Sequence, residues 1–314
     1  MPRRLLIVAA LLALPACQEE RPVTTTPADP ATQRVSFAPV MPSTPVTAPG
    51  GPSTLPAPPQ SIPATLRLPP GEGRVPAVVI VHGSGGVDGR GAFYAEALRR
   101  AGIATIEPDM WAARGIDRRQ GVQQRPRSTL HTLPDTYGAL RFLAQHPRID
   151  PDRIGVMGMS WGGVTSLRAA RGDIQHAYAQ QGPRFRAFVP LYPGCSYWAE
   201  GGVSAGEFDR NWPDGPMLLL VPEQEDYNTA WGREPCDSML ARVPEPARRN
   251  VTLHMYPGVT HGWDRQEIPA SITFFDPSAD GRRGGTVRVR ADAPTTADAA
   301  QRVTDFFTRS LAAQ

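Results

Sequence analysis

An α/β domain, with helices on both faces of a mainly parallel, doubly wound sheet, is the architecture expected of residues 64–314. Short apolar runs alternate there with amphipathic stretches, at a spacing that suits strand–helix–strand units. The run "AVVIV" (77–81) is apolar at every position, which fits a strand covered on both faces rather than one with a wet side. With 314 residues, 40% of them hydrophobic, the chain can bury a substantial core.

The strand at 77–81 runs into the glycine-rich turn "HGSGG". Phe93, Tyr94, Ala97 and Leu98 follow at helical spacing, Gly102 ends that helix, and "AGIATIEPD" supplies the next strand. A helix is expected over 132–145, a strand over "DRIGVMG", and a helix over 162–170. "FRAFVPLY", "PMLLLV" and "NVTLHMYPG" read as three more strands, and "TADAAQRVTDFFTRSLAA" as an amphipathic C-terminal helix. Residues 268–294 break the rhythm before that helix. They read as an insertion, with a hairpin as its candidate form.

The first 17 residues, "MPRRLLIVAALLALPAC", read as an export signal. Arg3 and Arg4 give a basic start, and the apolar run over 5–14 is too short to span a bilayer. The "LPAC" ending resembles the lipobox of bacterial lipoproteins, whose cysteine, here Cys17, is diacylated and becomes the mature N-terminus. Gln18 after it, rather than Asp, points to an outer-membrane anchor facing the periplasm. Residues 18–63 are rich in Pro, Thr, Ala and Ser and are expected to form a flexible tether. Three cysteines are an awkward number for an exported chain. With Cys17 lipidated, Cys195 and Cys236 remain as a pair that an oxidising compartment would bridge.

The formal net charge of +3 argues against nucleic acid as a partner. All 33 basic residues are arginine, which excludes chemistry carried by a lysine Schiff base or a phosphate-loop lysine.

Gly158-Met159-Ser160-Trp161-Gly162 fits G-x-S-x-G, placed after an expected strand and before an expected helix. Such a turn is too sharp for side chains two residues either side of the serine, and it lifts the hydroxyl above the sheet edge. A serine needs a base. His261 sits in a loop after a late strand, where that base belongs. His254 lies within the strand, and His82, His131, His146 and His176 occupy other places. The orienting carboxylate is expected after "PMLLLV", where "PEQEDYNTAW" offers Glu223, Glu225 and Asp226. The backbone amides of Trp161 and Ser84 are the candidate oxyanion donors. Trp111, Trp161, Tyr192, Trp198, Tyr227 and Trp263 fall on or beside loops at the same sheet edge, and Trp161 is expected to line the substrate pocket.

The order serine, carboxylate, histidine is that of the α/β-hydrolases. The segments "LPPGEGRVPAVVIVHGSGG", "RIDPDRIGVMGMSWGG", "FVPLYPGC", "LLLVPEQEDYNTA" and "YPGVTHGWD" resemble the dienelactone hydrolase family over about 64–264 and the final helix. The resemblance implies an α/β-hydrolase with no metal or organic cofactor, acting on a small-molecule ester or lactone. The founding members use a cysteine nucleophile where this chain has Ser160. The family's acid loop reads G-x-x-D, and ungapped alignment puts Pro222 on the glycine and Glu225 on the aspartate. A one-residue shift favours Asp226 narrowly, so both remain candidates. Cys195 and Cys236 look like paired features of exported relatives. Arg114 falls where relatives receive a substrate carboxylate, although a structural ion pair fits it equally. A non-catalytic binding lipoprotein on this fold, or a peptidase or acyltransferase using the same residues, are the alternative readings.

Overall fold

The computed structural model describes residues 31–46, 57–179, 182–196, 212–268 and 270–313. The expected signal peptide, Cys17 and Trp198 lie outside the described residues.

An eight-stranded sheet runs in the order β1-β2-β4-β3-β5-β6-β7-β8. The chain begins with β1 (Thr32–Phe37), β2 (Ile62–Arg67) and β3 (Val75–Val81). Helix α1 (Gly89–Arg100), β4 (Ala104–Pro108), α2 (Leu133–Gln145) and β5 (Ile149–Met159) follow. Next come α3 (Trp161–Ala169), α4 (Gly172–Ala179), β6 (Phe188–Leu191) and β7 (Met217–Gln224). Helix α5 (Glu234–Ala241), β8 (Val251–Thr260), the hairpin β9 (Ile272–Asp276) and β10 (Gly285–Val289), and α6 (Ala293–Ser310) complete the chain. From β4 to β8 every pairing is parallel, while β1 and β2 join antiparallel.

The sheet has a core on each side. Val79 and Val81 of β3 pack with Leu140 and Leu143 of α2 and Leu167 of α3. Their neighbours Val78 and Ile80 point the other way, towards Tyr94 and Leu98 of α1 and Val303 and Phe307 of α6. The period-two alternation of a strand explains why the whole run is apolar. Helix α6 starts on Asp292, which accepts from the Thr295 amide, and buries Ala299, Ala300, Val303, Phe306 and Phe307 as one stripe.

The tether expected over 18–63 does not hold across its middle, residues 31–46. Residues Thr32–Phe37 form an edge strand paired with β2. Beyond it the Val40 amide donates to Pro134 O at 2.9 Å and the Ser43 amide to Ala177 O at 2.7 Å. Phe37 and Val46 are both buried in the core beside α2 and α4. Low hydrophobicity hid this segment, because an edge strand needs only backbone partners and a few anchors. The folded unit therefore starts before residue 64, at least at residue 31.

A chain beginning at residue 57 should melt at least about 5 °C below one beginning at residue 31. Burying Phe37 and Val46 contributes about 1.5–3 kcal/mol each, and 1 kcal/mol shifts Tm by roughly 2–4 °C at this size. Equal melting temperatures by calorimetry would refute a structural role for β1.

Candidate active site

The carboxyl ends of β3, β5, β7 and β8 lie at one edge of the sheet, and the loops leaving them carry the candidate residues. Parallel α/β sheets gather ligand sites at this edge. Ser160 directly follows β5, His261 directly follows β8, and Glu225 directly follows β7. Ser84 lies in the turn after β3.

Ser160 holds φ 54° and ψ −108°, a conformation L residues rarely adopt. Its Oγ lies 2.9 Å from His261 Nε2. His261 Nδ1 lies 3.0 Å from both carboxylate oxygens of Glu225. The imidazole and the carboxylate are buried, at 5% and 1% exposure, so their hydrogen bond works in a low-dielectric setting. The Tyr227 amide steadies Glu225 by donating to its Oε1 at 3.2 Å.

Asp226 points elsewhere. Its carboxylate accepts from the Arg288 backbone amide (2.9 Å) and side chain (3.0 and 2.6 Å), and from Trp231 Nε1 (3.3 Å). Partial burial pulls its pKa up, but Arg288 outweighs this and holds it below the ordinary carboxylate value. Of the two candidate acids, Glu225 and not the narrowly preferred Asp226 is the one that faces His261. Successive residues in this turn face opposite ways, and Arg288 of the hairpin claims the second. Glu223 faces outward and accepts from the Gly258 amide at 2.7 Å.

Arg114 does not reach the site. It forms a bidentate pair with buried Asp135 at 2.5 and 3.3 Å and also donates to the Met110 and His131 carbonyls. Burial pushes the Asp135 carboxyl up to about 6 against the hydrogen bonds and charge of Arg114. Of the two uses expected for Arg114, the structural ion pair is the one found.

The aromatic residues divide between support and lining. Tyr192 and Tyr227 flank His261, with ring centroids 4.8 and 4.6 Å away. Trp111 is fully buried, and its Nε1 donates to Ser84 O at 2.8 Å. Trp263 is buried behind Tyr192. Trp161, first residue of α3, lines a cavity of about 140 Å³ beside Ser160. A wider cleft of about 900 Å³ opens on the other side, and Ser84, Ser160, Tyr227 and His261 border both spaces. A carbonyl resting at that junction has the serine, the imidazole and the Ser84 turn around it.

The expected insertion does contain a hairpin, β9–β10 over 272–289, and it closes one wall of the site. Asp276 accepts from Tyr227 Oη at 2.7 Å and, in bidentate fashion, from Arg125 at 3.0 and 2.8 Å. Val289 bridges to His261. Nothing in the sequence singled out Arg125, Asp276 or Arg288, because their importance comes from a pairing more than a hundred residues apart in the case of Arg125 and Asp276.

Cys195 and Cys236 are bonded as a disulfide. Asn228 works beside it: its Oδ1 accepts from the Cys195 and Ser196 amides at 2.7 and 3.0 Å, and its own amide donates to Glu225 O at 3.1 Å. The bridge and this asparagine together hold the acid loop against the loop after β6.

Fold and site together define an α/β-hydrolase. Comparison with known proteins narrows this: residues 62–311 match the dienelactone hydrolase family, and the chain belongs to that family. It is 16% identical to a candidate dienelactone hydrolase of Klebsiella pneumoniae, covering 88% of this chain and 99% of the other at a TM-score of 0.55. A dienelactone hydrolase of Anabaena variabilis gives 15% identity, 90% and 100% coverage, and a TM-score of 0.51. These likenesses concern the fold. The Aspergillus aculeatus thiohydrolase aneE is 31% identical over 105 residues, which are 33% of this chain and 32% of that protein. The chain thus spans only about a third of that curated relative.

The bridge closes a loop between residues 41 apart in sequence, a span at which chain entropy predicts about 4 kcal/mol of stabilisation. Reduction, or Cys236→Ser, should lower the melting temperature by about 8–15 °C in a calorimetric scan. A change below about 2 °C would show that the acid loop is held without it.

Proposed function

We propose that the chain is a serine hydrolase that cleaves an ester or lactone through Ser160, His261 and Glu225. His261 Nε2 takes the Ser160 proton as Oγ attacks the carbonyl carbon, and Glu225 holds the Nδ1 tautomer and stabilises the imidazolium. The amides of Trp161 and Ser84 receive the negative charge on the carbonyl oxygen. The imidazolium then protonates the leaving alcohol, and a water activated by the same histidine releases the acyl group. The observation that carries this reading is the continuous chain of hydrogen bonds from Ser160 Oγ through the imidazole to a buried carboxylate. Membership of a hydrolase family supports it. The thiohydrolase relative adds thioesters to the panel worth testing.

The soluble domain should react with a fluorophosphonate probe, and Ser160→Ala should remove both labelling and ester turnover. Glu225→Gln should lower kcat by about 10⁴-fold, as removing the orienting carboxylate does in the Ser-His-Asp template. Asp226→Asn should cost less than about tenfold, because that carboxylate touches the hairpin and not the imidazole. Absence of Ser160-dependent labelling would return the chain to the binding-lipoprotein reading.

The same proposal places the protein outside the cytoplasm, lipid-anchored at Cys17 and facing the periplasm from the outer membrane. The disulfide supports an oxidising compartment. In a bacterial host the full chain should incorporate labelled palmitate and sediment with membranes, and Cys17→Ser should do neither. Unchanged labelling of Cys17→Ser would refute the anchor.

A further inference from the structure

The mechanism above uses only the backbone of Ser84, but the side chain offers a second donor. Arg125 Nη1 donates to Ser84 Oγ at 2.8 Å. A hydroxyl whose oxygen is occupied by a guanidinium directs its proton away from that cation. Among the described residues nothing accepts the proton, and Ser84 is half-buried at the border of both cavities, beside Ser160 and His261. The backbone beneath is held separately. Trp111 Nε1 fixes the Ser84 carbonyl, and Gly121 packs so closely on that carbonyl that a Cβ there would come within 2.2 Å of it.

Arg125 is not a loose surface cation. It pairs in bidentate fashion with Asp276 and donates to Ser278 Oγ at 3.1 Å. Its side chain is 8% exposed and that of Asp276 fully buried, while the guanidinium lies 5.4 Å from the Trp161 ring centroid. Burial raises the Asp276 pKa, but Arg125 and the Ser278 amide outweigh this and keep the carboxylate below its ordinary value. A fixed cation on the oxygen also polarises the O–H and strengthens it as a donor.

We propose that the Ser84 hydroxyl is a third donor to the oxyanion, a catalytic group, and that Arg125 and Asp276 are positioning residues that aim it. This rests on the serine hydrolase reading. When Ser160 Oγ bonds to the carbonyl carbon, the π pair moves onto the carbonyl oxygen and the Ser84 hydroxyl donates a hydrogen bond to it. No proton is transferred to that oxygen, and the donor is released when the C=O bond re-forms and the alcohol leaves. The hairpin would then serve chemistry as well as shape, since its Asp276 fixes the arginine that orients the hydroxyl.

Hydrolysis of para-nitrophenyl butyrate by the full chain tests this. Ser84→Ala keeps the amide donor and loses only the hydroxyl. It should lower kcat by about a hundredfold, the scale of one oxyanion donor, with KM within about twofold. Ser84→Thr, which restores a hydroxyl, should recover kcat to within about fivefold of the starting chain. A phosphonate transition-state analogue should lose affinity for Ser84→Ala in step with kcat/KM. Wild-type kcat in Ser84→Ala, or a Ser84→Thr variant as slow as Ser84→Ala, overturns the role of the hydroxyl. If Ser160→Ala is inactive while Ser84→Ala is intact, only this inference falls. If Ser160→Ala keeps its activity, the hydrolase reading falls and takes this one with it.

Discussion

Between β5 and α3 the chain reverses where there is no space for a Cβ. One added at Gly158 would lie 2.4 Å from the Gly162 backbone, one at Gly162 would lie 2.0 Å from Val81 O, and one at Gly163 2.5 Å from Leu191 O. These contacts involve main-chain atoms of α3 itself and of the neighbouring strands β3 and β6, which cannot rotate away as a flexible side chain can. The serine in the middle absorbs the geometry, at a cost of about 1–3 kcal/mol for its unusual dihedrals. The sheet offsets that cost: the Ser160 amide donates to Leu191 O at 3.0 Å, and Val164 N closes the first turn of α3 on Ser160 O at 2.9 Å. The height of the hydroxyl above the sheet is therefore set by the register of β3, β5 and β6. Every other part of the site has to be brought to a point that the backbone has already fixed.

The imidazole meets that point because the acid loop and the hairpin constrain each other. Glu225 and Asp226 are adjacent in sequence, and only one can face the histidine. The choice is made from outside the loop, by Arg288 and by backbone bonds from Asp280 to Asp226 O at 2.9 Å and from Gly281 to Tyr227 O at 3.2 Å. With Asp226 drawn into the hairpin, Glu225 is left turned inward towards His261 Nδ1. Tyr227 then lies over the ring and ties back to Asp276. Two carboxylates that look interchangeable in sequence thus have opposite tasks, one towards the imidazole and one towards the wall of the site.

Much of this was readable before any coordinates. G-x-S-x-G carries its own steric reason, and His261 and the acid loop follow from strand order, so the serine and the histidine could be named from their places in the chain, and the two cysteines from their number. The apolar strands were legible because both their faces are buried. What stayed hidden depends on partners far along the chain. Residues 31–46 look like solvated linker because β1 is an edge strand that lives on backbone bonds to β2. Arg114 matched its expected position but turns to Asp135, a residue buried in α2. The choice between Glu225 and Asp226 needed Arg288, and the role of Arg125 needed Asp276; neither pairing leaves a periodic trace in the sequence.

Below the imidazole lies a polar cluster that the proposed chemistry does not touch directly. Asp264, fully buried three residues after His261, accepts from Tyr192 Oη at 2.6 Å and from Tyr94 Oη at 3.0 Å. Arg90 donates to the same Tyr192 oxygen at 3.2 Å and is itself neutralised by Asp88 at 2.6 Å. Burial pushes the Asp264 carboxyl up, and Arg90 and the two tyrosines oppose the shift. Buried charges of this kind add little net stability compared with an apolar core, because desolvation consumes most of the attraction. Their value is directional. Tyr192 occupies a left-handed backbone position at φ 38°, with its ring edge-on to His261, and Asp264 anchors the far end of that ring. An apolar replacement could fill the volume, but it could not specify the rotation of Tyr192 or the path of the turn from His261 to Asp264. The cluster therefore acts as a template for the histidine loop, fixing from below what Glu225 and Tyr227 fix from the side and above.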